Sequence, residues 1–132
     1  MTAIAVALDE PTSIELWIPY PPSANHIWRT GGKRVYRSPK YMKWREDAAV
    51  ETLRPGNQFK RKHKIIGPYK LTVTAARPDK RKRDLDNILK PISDFLMFIG
   101  AIESDHLCDM ICARWSTEGE GVYVRVERAG VL

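Results

Sequence analysis

PYKLTVTAARPDKRKRDLDNILKPISDFLMFIG, residues 68–100, carries two hydrophobic periods in succession. Over residues 68–76, Leu71, Val73 and Ala75 alternate with their neighbours, the period-two pattern of a strand. From Asp84 the period lengthens. Leu85, Ile88, Leu89, Ile92, Phe95, Leu96 and Ile99 recur at helical spacing, and Gly100 ends the pattern. A strand feeding such a helix specifies helices packed on a sheet. Pro91 interrupts the pattern. Inside a helix that began at Leu85 it would remove a backbone bond, at ~3 kcal/mol. Either that helix is kinked, or residues 85–90 form an irregular turn and Pro91 is the first residue of the true helix.

Outward from this unit the remaining elements follow. Residues 13–18 alternate Ile14, Leu16 and Ile18 with Glu15 and Trp17, a strand that Pro19, Pro21 and Pro22 bring to an extended exit. Ser23-Ala24-Asn25 has turn chemistry. Gly31-Gly32-Lys33 between Trp28-Arg29-Thr30 and Arg34-Val35-Tyr36 predicts a hairpin. Ser38-Pro39 starts a helix expected to run to about Leu53, with Tyr41, Trp44, Ala48 and Thr52 or Leu53 as its apolar stripe, before Pro55-Gly56. Residues 109–115 and 122–128 predict two more strands. The expected fold is α+β or mixed α/β: a single small sheet with two main helices packed on it, one domain over residues 1–132.

A chain of 132 residues buries one ordinary core and is too short for two. Its longest apolar run, Phe95 to Ile102, is too short to span a bilayer. The opening Met1–Leu8 segment is apolar but has no basic residue before it and runs into Asp9, Glu10 and Pro11, a poor leader pattern. The expected location is cytoplasmic. Cys108 and Cys112, four apart, match neither a zinc knuckle nor a redox pair; they are expected in the core, in a reducing compartment.

The net charge of +6 hides a division. Residues 28–83 hold 18 basic residues against four acids, a balance of +14, and the rest of the chain balances at −8. Within residues 84–109, Asp84, Asp86, Asp94, Glu103, Asp105 and Asp109 face a single Lys90. A cationic half followed by an anionic stretch suits a polyanion partner with an embedded cation site. On a helix, Asp86, Lys90, Ser93 and Asp94 form one polar stripe, with Asp84 at the cap, and Asp105 joins them only if the tertiary fold returns it there. Oxygen-only ligands select Mg²⁺ or Mn²⁺. Such an ion activates water for phosphodiester hydrolysis, and a neighbouring lysine orients that water or stabilises the developing charge. The competing account is purely structural: Asp84 caps the helix, and Asp86, Lys90 and Asp94 form an i,i+4 ladder. The five basic residues among the seven before Asp84 favour the phosphate reading. Arg77, Lys80, Arg81, Lys82 and Arg83 are the inner candidates for nucleic-acid contact. Lys60, Arg61, Lys62 and Lys64, and the hairpin's Arg29, Lys33 and Arg34, are outer ones. Trp17, Trp28, Trp44 and Trp115 fall at core or hairpin positions and are not read as base-stacking residues, an alternative that stays open for Trp28 and Tyr36 beside the hairpin cations. His26, His63 and His106 have no zinc spacing, and no phosphate-cradling glycine loop or nucleophilic-serine motif is present, so no nucleotide cofactor is expected.

Pro21-Pro22-Ser23-Ala24-Asn25, then Arg81-Lys82-Arg83-Asp84-Leu85-Asp86-Asn87 with Lys90 and Asp94, then Gly100 and Asp105, resemble the RusA family of Holliday-junction resolvases. These are small metal-dependent endonucleases common in phages and prophages. The resemblance implies that Asp84, Asp86 and Asp105 form a metal-binding triad, that Lys90 is the catalytic lysine, and that Asn87 and Asp94 support them, with Asn25 in the amino-terminal motif near DNA. It also implies a homodimer whose two sites nick opposing strands of a four-way junction, in host DNA recombination and repair or in phage DNA processing. Ser104 stands where members often carry a second acid, and residues 57–64 form a variable loop. Two other functions fit the residues: a non-catalytic basic nucleic-acid-binding module, and a metal-dependent nuclease for flaps or other branched nucleic acids.

Overall fold

A computed structural model describes residues 12–32, 34–57, 59 and 63–130. The strands are β1 (Ser13–Ile18), β2 (Trp28–Gly31), β3 (Arg34–Arg37), β4 (Tyr69–Ala76), β5 (Cys108–Ser116) and β6 (Val122–Arg128), and the helices are α1 (Pro39–Glu51) and α2 (Leu89–Phe98). Short 3₁₀ turns occupy Ala24–His26, Leu85–Ile88 and Asp105–Leu107. The sheet has the order β1-β6-β4-β5, with β4 parallel to β5 and the other pairs antiparallel; β2 and β3 form a separate ribbon. This is the small sheet with two helices expected from the hydrophobic periods.

The core follows from register. Ile14, Val126 and Leu71 form one row across three strands, Leu16, Val124 and Val73 the next, and Ile18, Val122 and Ala75 the third. All nine are buried and face α1 and α2. Alternation in β1, β4 and β6 was readable because only one face of the sheet is covered. The helices contribute Tyr41, Trp44 and Ala48 from α1 and Ile92, Phe95 and Leu96 from α2, with Trp44 edge-on to Phe95 at 5.4 Å.

Ser38 starts α1 as expected: its hydroxyl accepts from the Tyr41 N–H at 3.1 Å and donates to the His26 carbonyl, with Pro39 behind it. The helix stops at Glu51, two residues early. The Asn57 amide donates to the Glu51 carbonyl at 2.7 Å, closing the end, and Thr52 rather than Leu53 completes the buried stripe. Pro91 lies at the third position of α2, in the first turn, where backbone N–H groups have no intrahelical acceptor, so it removes nothing. The helix therefore begins two residues before the proline, after a 3₁₀ turn.

Cys108 is half-buried and packs against the core, whereas Cys112 is exposed rather than in the core. The reason is the edge position of β5: β4 separates it from β6, and the helices do not cover it. Met110 and Ile111 are 58% and 49% exposed. Trp44 alone of the tryptophans is fully in the core. Trp17 lies on the open sheet face against Tyr123, Trp28 is exposed on the ribbon, and Trp115 is half-buried. The turn from β5 to β6 ends at Gly121, whose φ of +75° is left-handed; a Cβ there would meet the Ile18 carbonyl oxygen at 2.7 Å.

Asp94 joins the layers. Its carboxylate accepts from Arg37 at 2.6 Å and from the Tyr41 hydroxyl, linking α2 to the ribbon and to α1. Replacing Asp94 with Ala is expected to lower the free energy of unfolding by about 2–4 kcal/mol, read by urea denaturation, because both partners lose their acceptor in a site mostly shielded from water. Burial, reinforced at Tyr41 by Asp94, raises the Tyr41 phenol above its ordinary value, and burial raises Tyr69 likewise. Raised folded-state values mean that the stability contributed is complete below about pH 10 and is lost as pH climbs through them. Tyrosinate absorbance at 295 nm should show these two phenols ionising together with unfolding in the alkaline range.

Candidate active site and nucleic-acid surface

The acidic turn is built differently from a helix cap. Asp84 precedes the Leu85–Ile88 turn in extended conformation, and its side chain makes no capping bond; the turn closes through the Asn87 N–H donating to the Asp84 carbonyl at 3.1 Å. Residues 85–88 wind at three per turn, so Asp86 and Lys90 do not stack as α-helical neighbours would. Lys90 reaches instead to Asp105, with Nζ 2.9 Å from Oδ2. Asp94, the third member of the expected ladder, is engaged by Arg37 and Tyr41.

The parallel register of β4 and β5 explains how Asp105 meets Lys90. It pairs Tyr69 with Cys108, which places Asp105 near the Tyr69 end of the sheet, while residues 77–84 leave from the Ala76 end. The Leu85–Ile88 turn and the start of α2, packed against β5 and the Asp105–Leu107 turn, bridge the interval. Among the described residues no three acidic, histidine or cysteine side chains stand around one point at metal-ligating distance. The donor chemistry nonetheless suits a hard divalent cation: the set is carboxylate throughout, and Asp84 is not taken up by capping. The Ala24–His26 turn packs against the acidic turn, bringing Asn25's segment alongside it. Tyr20, Ser23, Lys82, Arg83, Asp84, Asn87 and Ile88 line a cleft of about 330 Å³ there.

The basic loop is ordered by an acid. Asp79 Oδ1 accepts from the Arg81 backbone N–H at 3.0 Å and from Arg83 Nε at 3.1 Å; Oδ2 accepts from Arg81 Nε at 3.1 Å and Arg83 Nη2 at 2.6 Å. Hydrogen bonding from Arg83, then from Arg81, holds the Asp79 carboxyl well below the usual carboxylate range. Arg83 also lies 5.6 Å over the Tyr20 ring, Tyr20 stacks nearly parallel to Trp115 with 6.4 Å between centroids, and Arg77 lies 4.3 Å over Trp115. Of the outer cations, Arg29, Arg34 and Lys64 are exposed, whereas Lys33, Lys60, Arg61 and Lys62 lie outside the described residues. Trp28 and Tyr36 are exposed on the ribbon, and Arg37 lies 5.0 Å over the Trp28 ring. Asp79, Tyr20 and Trp115 were missed as site residues. Asp79 alone carried a signal, as the one acid among five cations.

Residues 19–127 match the family model described as Endodeoxyribonuclease RusA. The chain belongs to the RusA family. It is similar to the "Crossover junction endodeoxyribonuclease rusA" of Enterobacteria phage HK97, at 40% identity over 94 residues, 71% of this chain and 75% of that protein. It is also similar to the "Crossover junction endodeoxyribonuclease RusA" of Aquifex aeolicus strain VF5, at 36% identity over 103 residues, 76% and 78% of the two chains. The RusA match therefore covers the Tyr20 stack, the basic loop, the acidic turn and Asp105 together.

Proposed function

We propose that this chain resolves four-way DNA junctions as a Mg²⁺-dependent endonuclease, hydrolysing phosphodiesters in paired symmetric nicks. The observation that carries the reading is the Lys90–Asp105 pair on the helix that continues from the Asp84–Asp86 turn, which itself follows directly on a cationic loop, in a chain of the RusA family. Asp84, Asp86 and Asp105 would hold the ion, with Mn²⁺ as a substitute. When bound, such an ion supplies an activated water and neutralises non-bridging phosphate oxygens. Lys90 then stands as an oriented donor toward the phosphoryl group, its direction set by Asp105. Asn87 shares the cleft with Asp84, and Asp94 fixes the rotation of α2. The loop cations Arg77, Lys80, Arg81, Lys82 and Arg83 grip backbone phosphates, and Asn25, Arg29, Lys33, Arg34, Lys60, Arg61, Lys62 and Lys64 extend that surface. Contacts of this kind position DNA without reading its sequence.

The working unit in this reading is a cytoplasmic homodimer, since a two-fold pair of sites matches a substrate with two-fold symmetry. The open edge of β5, with Met110 and Ile111 exposed, supports pairing with a second copy. No helix among the described residues is long and apolar enough to cross a membrane.

With Mg²⁺ present, the chain is expected to cut a four-way junction and to leave a plain duplex intact, and Asp86→Asn to bind the junction at undiminished affinity without cutting it. Cutting by Asp86→Asn at the wild-type rate would remove Asp86 from the active site, and a wild-type chain that binds the junction without cutting it would leave only a binding module. A flap cut in preference to the junction would redirect the reading to other branched substrates. Arg81→Ala combined with Arg83→Ala should reduce the slope of log affinity against log salt by about 2, the loss expected for two phosphate contacts.

A further inference from the structure

Five cations and one acid make up the charged residues of the loop at 77–83. If the loop served only to attract DNA, Asp79 would weaken it: a negative charge among cations repels the phosphates they recruit. Yet Asp79 is the residue on which the loop's conformation turns. Both of its oxygens are occupied by donors from Arg81 and Arg83. Its bond to the Arg81 backbone closes the chain into a tight local turn. Each guanidinium carries five N–H donors, and Asp79 accepts from Nε of Arg81 and from Nε and Nη2 of Arg83, so that at least three N–H groups on each are not engaged by Asp79. Arg83 is restrained a second time by Tyr20, itself stacked on Trp115. Arg83 directly precedes Asp84 and lines the same cleft.

We propose that Asp79 is a positioning residue, which sets Arg81 and Arg83 as a rigid receptor for the backbone phosphate presented to Asp84 and Asp86. This rests on the reading of the chain as a junction nuclease. Two arginines free in solution would each lose rotamer freedom on gripping a phosphate; Asp79 has already ordered them before DNA arrives. The gain falls on the placement of the scissile phosphate rather than on affinity.

The two roles of Asp79 separate at the cutting rate. Acting as a stray negative charge, it would oppose binding, and Asp79→Ala would tighten the junction complex with cutting unimpaired. Acting as a positioning group, Asp79→Ala holds or raises junction affinity at low salt, while the single-turnover cutting rate at saturating enzyme falls roughly 10- to 100-fold. Asp79→Asn, which keeps one acceptor oxygen, falls between wild type and Asp79→Ala. Adding Asp79→Ala to the Arg81→Ala, Arg83→Ala double variant produces no further loss, because Asp79 acts through those two arginines. A rate for Asp79→Ala within two-fold of wild type, or a multiplicative further loss in the triple variant, overturns the proposal. Circular dichroism and the thermal midpoint check that each variant is folded. A second readout needs no cutting: in the free protein, the NMR signals of Arg81 and Arg83 Nε–H should be protected from exchange and lose that protection in Asp79→Ala. Unprotected signals in the wild type refute the clamp by themselves. Failure of the wild-type chain to cut any branched DNA refutes the nuclease reading instead.

Discussion

A single carboxylate ties together two stretches more than fifty residues apart in the chain. Asp94, mostly shielded from water on α2, accepts from Arg37 at the end of the ribbon and from Tyr41 in the first turn of α1. Each partner is anchored elsewhere. Arg37 is stacked near Trp28, and Tyr41 is packed on Trp44, which meets Phe95. Because Asp94 and Lys90 are four apart on one helix, the bonds that fix Asp94 also fix the rotation of α2, and with it the direction in which Lys90 leaves the helix. Lys90's contact with Asp105 is thus set partly by an ion pair on the next turn.

The chemistry side of the molecule uses opposite charges to arrange one another. Lys90 is steered by an acid, Arg81 and Arg83 by another, and in both cases the ion pair is exposed enough that its contribution to stability is slight. Their value lies in direction. A lysine or arginine left to itself samples many rotamers; paired at a fixed point on a turn, it presents its remaining donors in one orientation. The aromatic pair Tyr20 and Trp115 adds a flat wall to which the flanking arginines are held, joining the exit of β1 to the ends of β4 and β5.

How much of this was legible depended on whether the information was local. Ile14, Leu16 and Ile18, or Val122, Val124 and Val126, announce their strands because one face is wet and the other dry. Ser38-Pro39 announces a helix start because capping is a matter of neighbouring residues. The β5 segment misleads, since Ile111 and Cys112 look like core by composition and only the strand order reveals them at an edge. Pro91 left two alternatives because a 3₁₀ turn and an α-helix share their hydrophobic residues. At the site, Asp84, Asp86 and Lys90 are neighbours in the chain, and their motif could be seen. That Lys90 pairs with Asp105 and not Asp86 depends on strand register, which lies beyond sequence spacing. Asp79 escaped because a lone acid among cations reads as a diluted charge until its four donors are in view.

Gly121 is removed from all of this chemistry, yet it lies against the strand whose exit carries Tyr20. Its left-handed backbone and its closeness to the Ile18 carbonyl leave no room for a methyl group. A side chain there would push the end of β1 outward, and Pro19, Tyr20 and the Arg83 stack would follow. In a screen scored by enzymatic output, Gly121 would cluster with residues that handle the scissile bond, although its part is to let the turn before β6 approach the end of β1.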